Sequence, residues 1–150
     1  MSAILEVLGL IIAYAIGQQR FRWRDIRQLL HGYGYPEEDI NLAWAKLRRQ
    51  RLKMFRDTFW IEPHSLPLDT DLVKAVVVGY LRLHAEANPV QVSTIYQVGE
   101  PYFRSGSSRG NPARTWRRVL HQAVGALLEE GVIRCQQPRS DTDQLFIFLA

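Results

Sequence analysis

Residues 4–16, ILEVLGLIIAYAI, are apolar on every side except at Glu6. A run of thirteen is too short for a membrane span, which needs about 20 apolar residues. A signal peptide calls for Lys or Arg ahead of the apolar region, and Met1-Ser2-Ala3 has none, although Ala13-Tyr14-Ala15 has the small-residue form of a cleavage site. The run is therefore expected to be a buried helix closed by Gly17. Being apolar all round, it needs cover on more than one side, from a second domain or from a partner.

The rest of the 150-residue chain can build such cover. The whole chain is 47% apolar and carries four Trp, six Tyr and six Phe, enough for a core in each half. This excludes a wholly disordered chain. The net charge of +4 is mildly basic; it permits a nucleic-acid partner without demanding one. Cys135 is the single cysteine, so neither an intramolecular disulfide nor a Cys-based zinc site can form. The expected setting is a reducing cytoplasm, or association with the nucleoid.

The clearest punctuation is residues 62–71, EPHSLPLDTD, with two prolines among short polar residues. It divides the chain into a unit over 1–62, a linker over 63–70 and a second unit over 71–150. In the first unit the apolar helix is followed by a brief strand at 20–23 and a short helix at 25–31, ended by Gly32 and Gly34. Pro36 then opens a third helix that runs to about Gln50, with Glu37, Glu38 and Asp39 in its first turn. Two alternating runs, 52–55 and 58–61, flank Arg56-Asp57 as a hairpin. The second unit follows the same order: an apolar helix over 71–85 capped by Asp69 or Thr70, and a short helix over 93–98. A third helix follows from Asn111-Pro112 to Gly131, then strands at 132–136 and 144–149. Gly9 and Gly79 occupy the same place in the two first helices, and Pro36 and Pro112 start the two third helices. The fold class expected is mainly α with small β-hairpins, in two units of like order.

Three helices and a hairpin, twice, with AKLRRQRLKMF at 45–55 and ALLEEGVIRC at 126–135, resemble the winged-helix variant of the helix-turn-helix. Both segments share that family's passage from a helix end through a polar turn into an apolar strand. The second unit, with Ile95-Tyr96, the basic loop 103–110 and the helix 115–130, is also similar to a winged-helix protein of the archaeal and eukaryotic small ribosomal subunit; the first unit is not. The resemblance implies that the third helix of a unit enters the DNA major groove, where arginine grips guanine or phosphate.

The third helix of the second unit has the charge such a role needs. At 100° per residue, Arg114, Arg117, Arg118 and His121 fall on one side, opposite Trp116, Leu120, Ala123 and Leu127. The preceding loop, RSGSSRG at 104–110, adds Arg104, Arg109 and backbone amides suited to phosphate. Arg139, between the last two strands, is a further candidate contact. A solvated arginine face is the bland alternative. The third helix of the first unit differs: it buries Ile40, Ala43, Trp44 and Leu47, and turns Glu38, Asn41, Leu42, Ala45 and Arg49 outward. Acids at its start repel phosphate, so Glu38, Asn41, Leu42 and Ala45 are expected to meet a protein instead. The basic residues of this unit cluster at Arg20, Arg22, Arg24 and Arg27, and at Arg48, Arg49, Arg51, Lys53 and Arg56. Trp23 sits among the first group, either as a nucleic-acid contact or as core.

No chemistry-bearing motif competes with this reading. His31, His64, His84 and His121 have no metal-site spacing, and Cys135 alternates with apolar residues as a buried thiol would. Neither a P-loop nor a GxSxG elbow is present. The expectation is a non-enzymatic protein without cofactor or metal. Its partner would be nucleic acid, DNA before RNA, contacted by the second unit. The alternative is an adaptor subunit binding protein through the first. No membrane association is expected.

Overall fold

The computed structural model describes residues 1–50, 52–104, 115–136 and 141–150. Among these are six α-helices and six strands, so the fold is mainly α with two small sheets. The first repeat comprises α1 (Ala3–Gln18), β1 (Phe21–Arg22), α2 (Trp23–Gly32), α3 (Glu37–Gln50), β2 (Leu52–Phe55) and β3 (Thr58–Ile61). The second comprises α4 (Thr70–Leu83), β4 (Val90–Gln91), α5 (Val92–Gly99), α6 (Trp116–Glu129), β5 (Ile133–Cys135) and β6 (Phe146–Leu149). Each repeat forms one antiparallel three-stranded sheet, in the orders β1-β3-β2 and β4-β6-β5. In both, the strand ahead of the second helix adds to the outer edge of a C-terminal hairpin. The hairpin turn of the first repeat is Arg56-Asp57, with Arg56 at φ 57°.

Local chemistry fixes the helix ends. The Ser2 hydroxyl accepts from the Leu5 amide to cap α1, and the Asp69 carboxylate accepts from the Asp71 and Leu72 amides to cap α4. Gly34 and Gly131, at φ 87° and 75°, follow α2 and α6 in the left-handed region. At both, the glycine amide reaches back three residues and the next amide five: Gly34 to His31 and Tyr35 to Leu30, Gly131 to Leu128 and Val132 to Leu127. The same closing motif thus ends the second helix of the first repeat and the third helix of the second.

α6 begins at Trp116, capped by the Thr115 hydroxyl, which accepts from the Arg118 amide at 3.2 Å. Asn111 and Pro112, expected to open it, lie outside the described residues. Thr115 takes the cap because its backbone is extended (φ −99°, ψ 161°) and its oxygen faces the third amide of the turn.

The apolar helix α1 is covered by the other repeat. Val7, Leu10, Ile11, Ile12 and Ala13 are fully or nearly fully buried, and α1 packs on α4 more extensively than any other two elements pack together. Two glycines permit the approach. A Cβ at Gly9 would lie 2.3 Å from the Ala75 carbonyl oxygen, and one at Gly79 would lie 2.9 Å from the Gly9 carbonyl oxygen. The helices therefore cross with their backbones in contact. Burying each large aliphatic side chain on this seam contributes about 1.5–3 kcal/mol. Both repeats share a single hydrophobic cluster. No helix is long and apolar enough to cross a membrane among the described residues.

Polar contacts reinforce the seam. The Arg82 guanidinium on α4 donates to the Tyr35 hydroxyl and lies 4.5 Å from the Tyr33 ring centroid, so both tyrosines after α2 grip the second repeat. Burial pushes the Tyr35 phenol up, against the pull of Arg82, so it stays a neutral donor toward Glu6. Between the repeats, Leu66 is fully buried and pairs in parallel with Phe103, its amide donating to the Tyr102 carbonyl while the Arg104 amide donates to its own.

Substituting Gly9→Ala is expected to lower stability by about 1–3 kcal/mol, because the new methyl meets backbone that must move apart. Gly17→Ala, in the same helix but with open space around it, should instead raise stability by up to about 1 kcal/mol. Urea unfolding of the two variants measures the difference; equal effects would refute the tight crossing.

Candidate nucleic-acid interface

The outward face of α6 is set by how its first residue is held. Trp116 is buried, its indole Nε1 donates to the Tyr96 carbonyl at 2.9 Å, and its ring stacks on Phe103 at 4.1 Å. Gly99 leaves room for it: a Cβ there would lie 2.5 Å from the indole. With Trp116, Val119, Leu120 and Ala123 turned inward, Arg117, Arg118 and Gln122 must face out. The helical periodicity expected over 114–121 holds from Trp116 onward, where Trp116 anchors the helix; Arg114 lies outside the described residues.

The charge on that face is not all available. Asp143, in the single helical turn between β5 and β6, meets His121 Nε2 at 2.7 Å and Arg117 Nε at 3.5 Å. The Arg117 guanidinium also lies 4.6 Å from the Tyr96 ring centroid. The helix face itself carries no acid; the acid that engages it comes from the turn between β5 and β6. Asp143 is itself held in place, its amide donating to the Asp141 carboxylate at 3.0 Å. Arg118 is exposed and has no acidic partner among the described residues.

Arg104 is exposed at the mouth of a cleft of about 330 Å³ beside the α6 N-terminus, lined also by His64, Tyr96, Glu100, Thr115 and Arg117. Its backbone is fixed by the Leu66 pairing. His64 turns its Nδ1 to the Phe103 carbonyl at 3.0 Å. Arg104, Arg117 and Arg118 are therefore gathered around one helix start. Arg109, Arg114 and Arg139 lie outside the described residues.

In the first repeat, α3 buries Ile40, Ala43, Trp44 and Leu47 and exposes Glu38, Asn41, Leu42 and Ala45, with Leu42 49% exposed. Trp23 stacks on Trp44 at 3.9 Å and so belongs to the packing of α2 on α3. Arg27 and His31 of α2 both bind Glu37 at the start of α3, the latter at 2.5 Å. Sequence reasoning missed two participants. Asp143 and Tyr96 touch the cationic face from other elements, and no local pattern announces either contact. Among the described residues no group of three His, Cys, Asp or Glu side chains could hold a metal ion, and the free Cys135 is half-buried.

The Arg27 guanidinium donating to Glu37 holds its carboxyl below the usual carboxylate range. A depressed folded value stabilises the fold above the unfolded carboxylate range, and that stability is lost as pH falls through the folded value. Acid titration of the wild type should therefore show a decline below the usual carboxylate range that Glu37→Gln lacks. Parallel pH–stability curves for the two proteins would contradict this pairing. Comparison with protein-family models, with curated proteins and with solved structures finds no match for this chain.

Proposed function

We propose that the chain is a non-enzymatic nucleic-acid-binding protein of two winged-helix repeats, which meets duplex DNA through α6 of the second. The order helix, strand, helix, helix, hairpin in both repeats, with the first strand added to the hairpin, supports the fold assignment. The observation that carries the function is the cationic start of α6: Arg117 and Arg118 face outward from an anchored Trp116, with Arg104 across the adjoining cleft. A rigid helix presenting two consecutive arginines fits the major groove, where phosphate contacts position and base edges specify. Arg109, Arg114 and Arg139 extend the same proposal along the chain.

Asp143 sets the strength of this contact. While it holds Arg117 and His121, phosphate must compete with a carboxylate already in place. Arg118 then carries the largest share of the first encounter. A second reading, an adaptor that binds protein through Glu38, Asn41, Leu42 and Ala45 of α3, is favoured by the exposure of Leu42 on a helix whose first turn is acidic.

Gel shift on a short duplex at two salt concentrations tests the first reading. Arg117→Ala/Arg118→Ala should weaken binding and reduce the steepness of its salt dependence, by about 0.9 in the log–log slope for each phosphate that is no longer neutralised. Asp143→Asn should tighten binding, because it releases Arg117 without removing a cation. Unchanged binding in the double variant would remove α6 as the contact, and an effect of Leu42→Ala alone on capture of a protein partner would move the function to α3.

A further inference from the structure

The outer face of the first repeat's sheet combines arginine and aromatic side chains in a regular array. The inner face is fixed by register: Phe21 pairs with Phe59, and Leu52 with Ile61. The alternate positions therefore point outward. There Arg22 lies beside Thr58, Thr58 beside Phe55, and Trp60 beside Lys53. Arg20 completes the second row, its guanidinium 4.4 Å from the Trp60 ring centroid. At the turn, the Arg56 guanidinium lies 5.4 Å from the Phe55 ring centroid. Phe55 is 65% exposed, the largest exposure among the big apolar side chains of the described residues. Two acids approach the array, Asp57 at 3.7 Å from Arg22 and Glu62 at 4.0 Å from Lys53. Both are exposed pairs at the limit of ion-pair distance, which contribute little and yield readily to a better anion.

From this array we infer that the outer face of β1-β3-β2 is a binding platform for single-stranded DNA, separate from α6. Four cations against two weakly engaged acids suit a polyanion, and two rings suit its bases. The rings also choose between strand forms. Phe55 and Trp60 are diagonal neighbours across the hairpin, a relation that spaces side chains by about 7 Å. Bases stacked in one strand of a duplex rise about 3.4 Å, and their faces are already covered. Only a strand with its bases splayed can lay one base on each ring. Each ring is already visited by an arginine, so a base stacks in the place of a guanidinium, which is then free to turn to the phosphate. Rings and cations read base faces and phosphates; among the described residues the uncharged polar groups of this face are the Thr58 hydroxyl and the Trp60 indole N–H, too few to read a ribose hydroxyl at each nucleotide.

Fluorescence anisotropy with labelled oligothymidine of about 12 nucleotides tests this directly. Phe55→Ala, which touches no core, should weaken binding by about 5- to 150-fold, the range for removal of one stacking ring. Arg22→Glu/Lys53→Glu should abolish binding at moderate salt while circular dichroism stays that of the wild type. Trp60→Phe keeps a ring, so binding should persist while the oligonucleotide-induced quenching of tryptophan fluorescence falls. Arg117→Ala/Arg118→Ala should leave single-strand binding unchanged, which separates this surface from α6. Wild-type affinity in both Phe55→Ala and the charge-reversal variant would overturn the platform, whatever the duplex assays give. Tighter binding of oligouridine of the same length would overturn the assignment to DNA.

Discussion

The contact between Gly9 and Gly79 holds the architecture together. A helix that is apolar on all sides cannot be finished by a repeat of this size, because α2, α3 and a three-stranded sheet cover only part of its circumference. α4 covers the remainder, and it does so at backbone distance. Close crossing brings the aliphatic side chains on either side of the glycines into mutual contact along the whole seam. The cost of two helix glycines, roughly 1 kcal/mol each relative to alanine, is small beside that burial. The same crossing explains the second repeat's α4, whose own apolar run is similarly broad. The repeats are thus halves of one core, and the surfaces they present to the outside are fixed relative to one another.

With the core shared, the two repeats differ at their surfaces. The third helices show it most clearly. α3 begins with three acids and binds Arg27 and His31 of its own repeat through Glu37, which neutralises cations that would otherwise face outward. α6 begins with Trp116 and two arginines and has no acid in its first turn. Its counterbalance comes from Asp143 on the hairpin, which sits between Arg117 and His121. The hairpins differ in the opposite sense: the first repeat has rings and arginines outward on its sheet.

Much of the fold was legible because it rests on periodicity and capping. The hairpin 52–61 was bounded by its own alternation around Arg56-Asp57, and α3 by Pro36 and its acidic first turn. The expected opening of α6 at Asn111-Pro112 lies outside the described residues; its described start at Trp116 rests on the Thr115 cap and on the anchoring of the indole by Tyr96, Gly99 and Phe103, which no local pattern announces. β4 was missed because two residues, Val90 and Gln91, become a strand only by pairing with Ile147 and Phe146, far along the chain. Trp23 could be read as core or as contact until Trp44 was found beneath it. At the site, outward direction was readable from helical geometry, whereas occupancy was not. That Arg117 is engaged by Tyr96 and Asp143 depends on three elements meeting in space.

The distinction between direction and occupancy bears on how a basic surface should be weighed. An arginine projecting from a helix is available to phosphate only to the extent that its own protein leaves it unpaired. On α6 the arginine nearest the anchored tryptophan is the one most engaged, and Arg118, one position on, is the one left to solvent. On the first sheet the relation is different in kind, since Arg20 and Arg56 rest on rings rather than on carboxylates. A cation–π contact at an exposed ring contributes about 0.5–1 kcal/mol and leaves the positive charge unneutralised. Such an arginine still draws an anion toward the surface, and the ring beneath it becomes usable as the guanidinium swings away. Cations parked on aromatic rings therefore count toward a polyanion surface in a way that cations held by Asp143 or Glu37 do not.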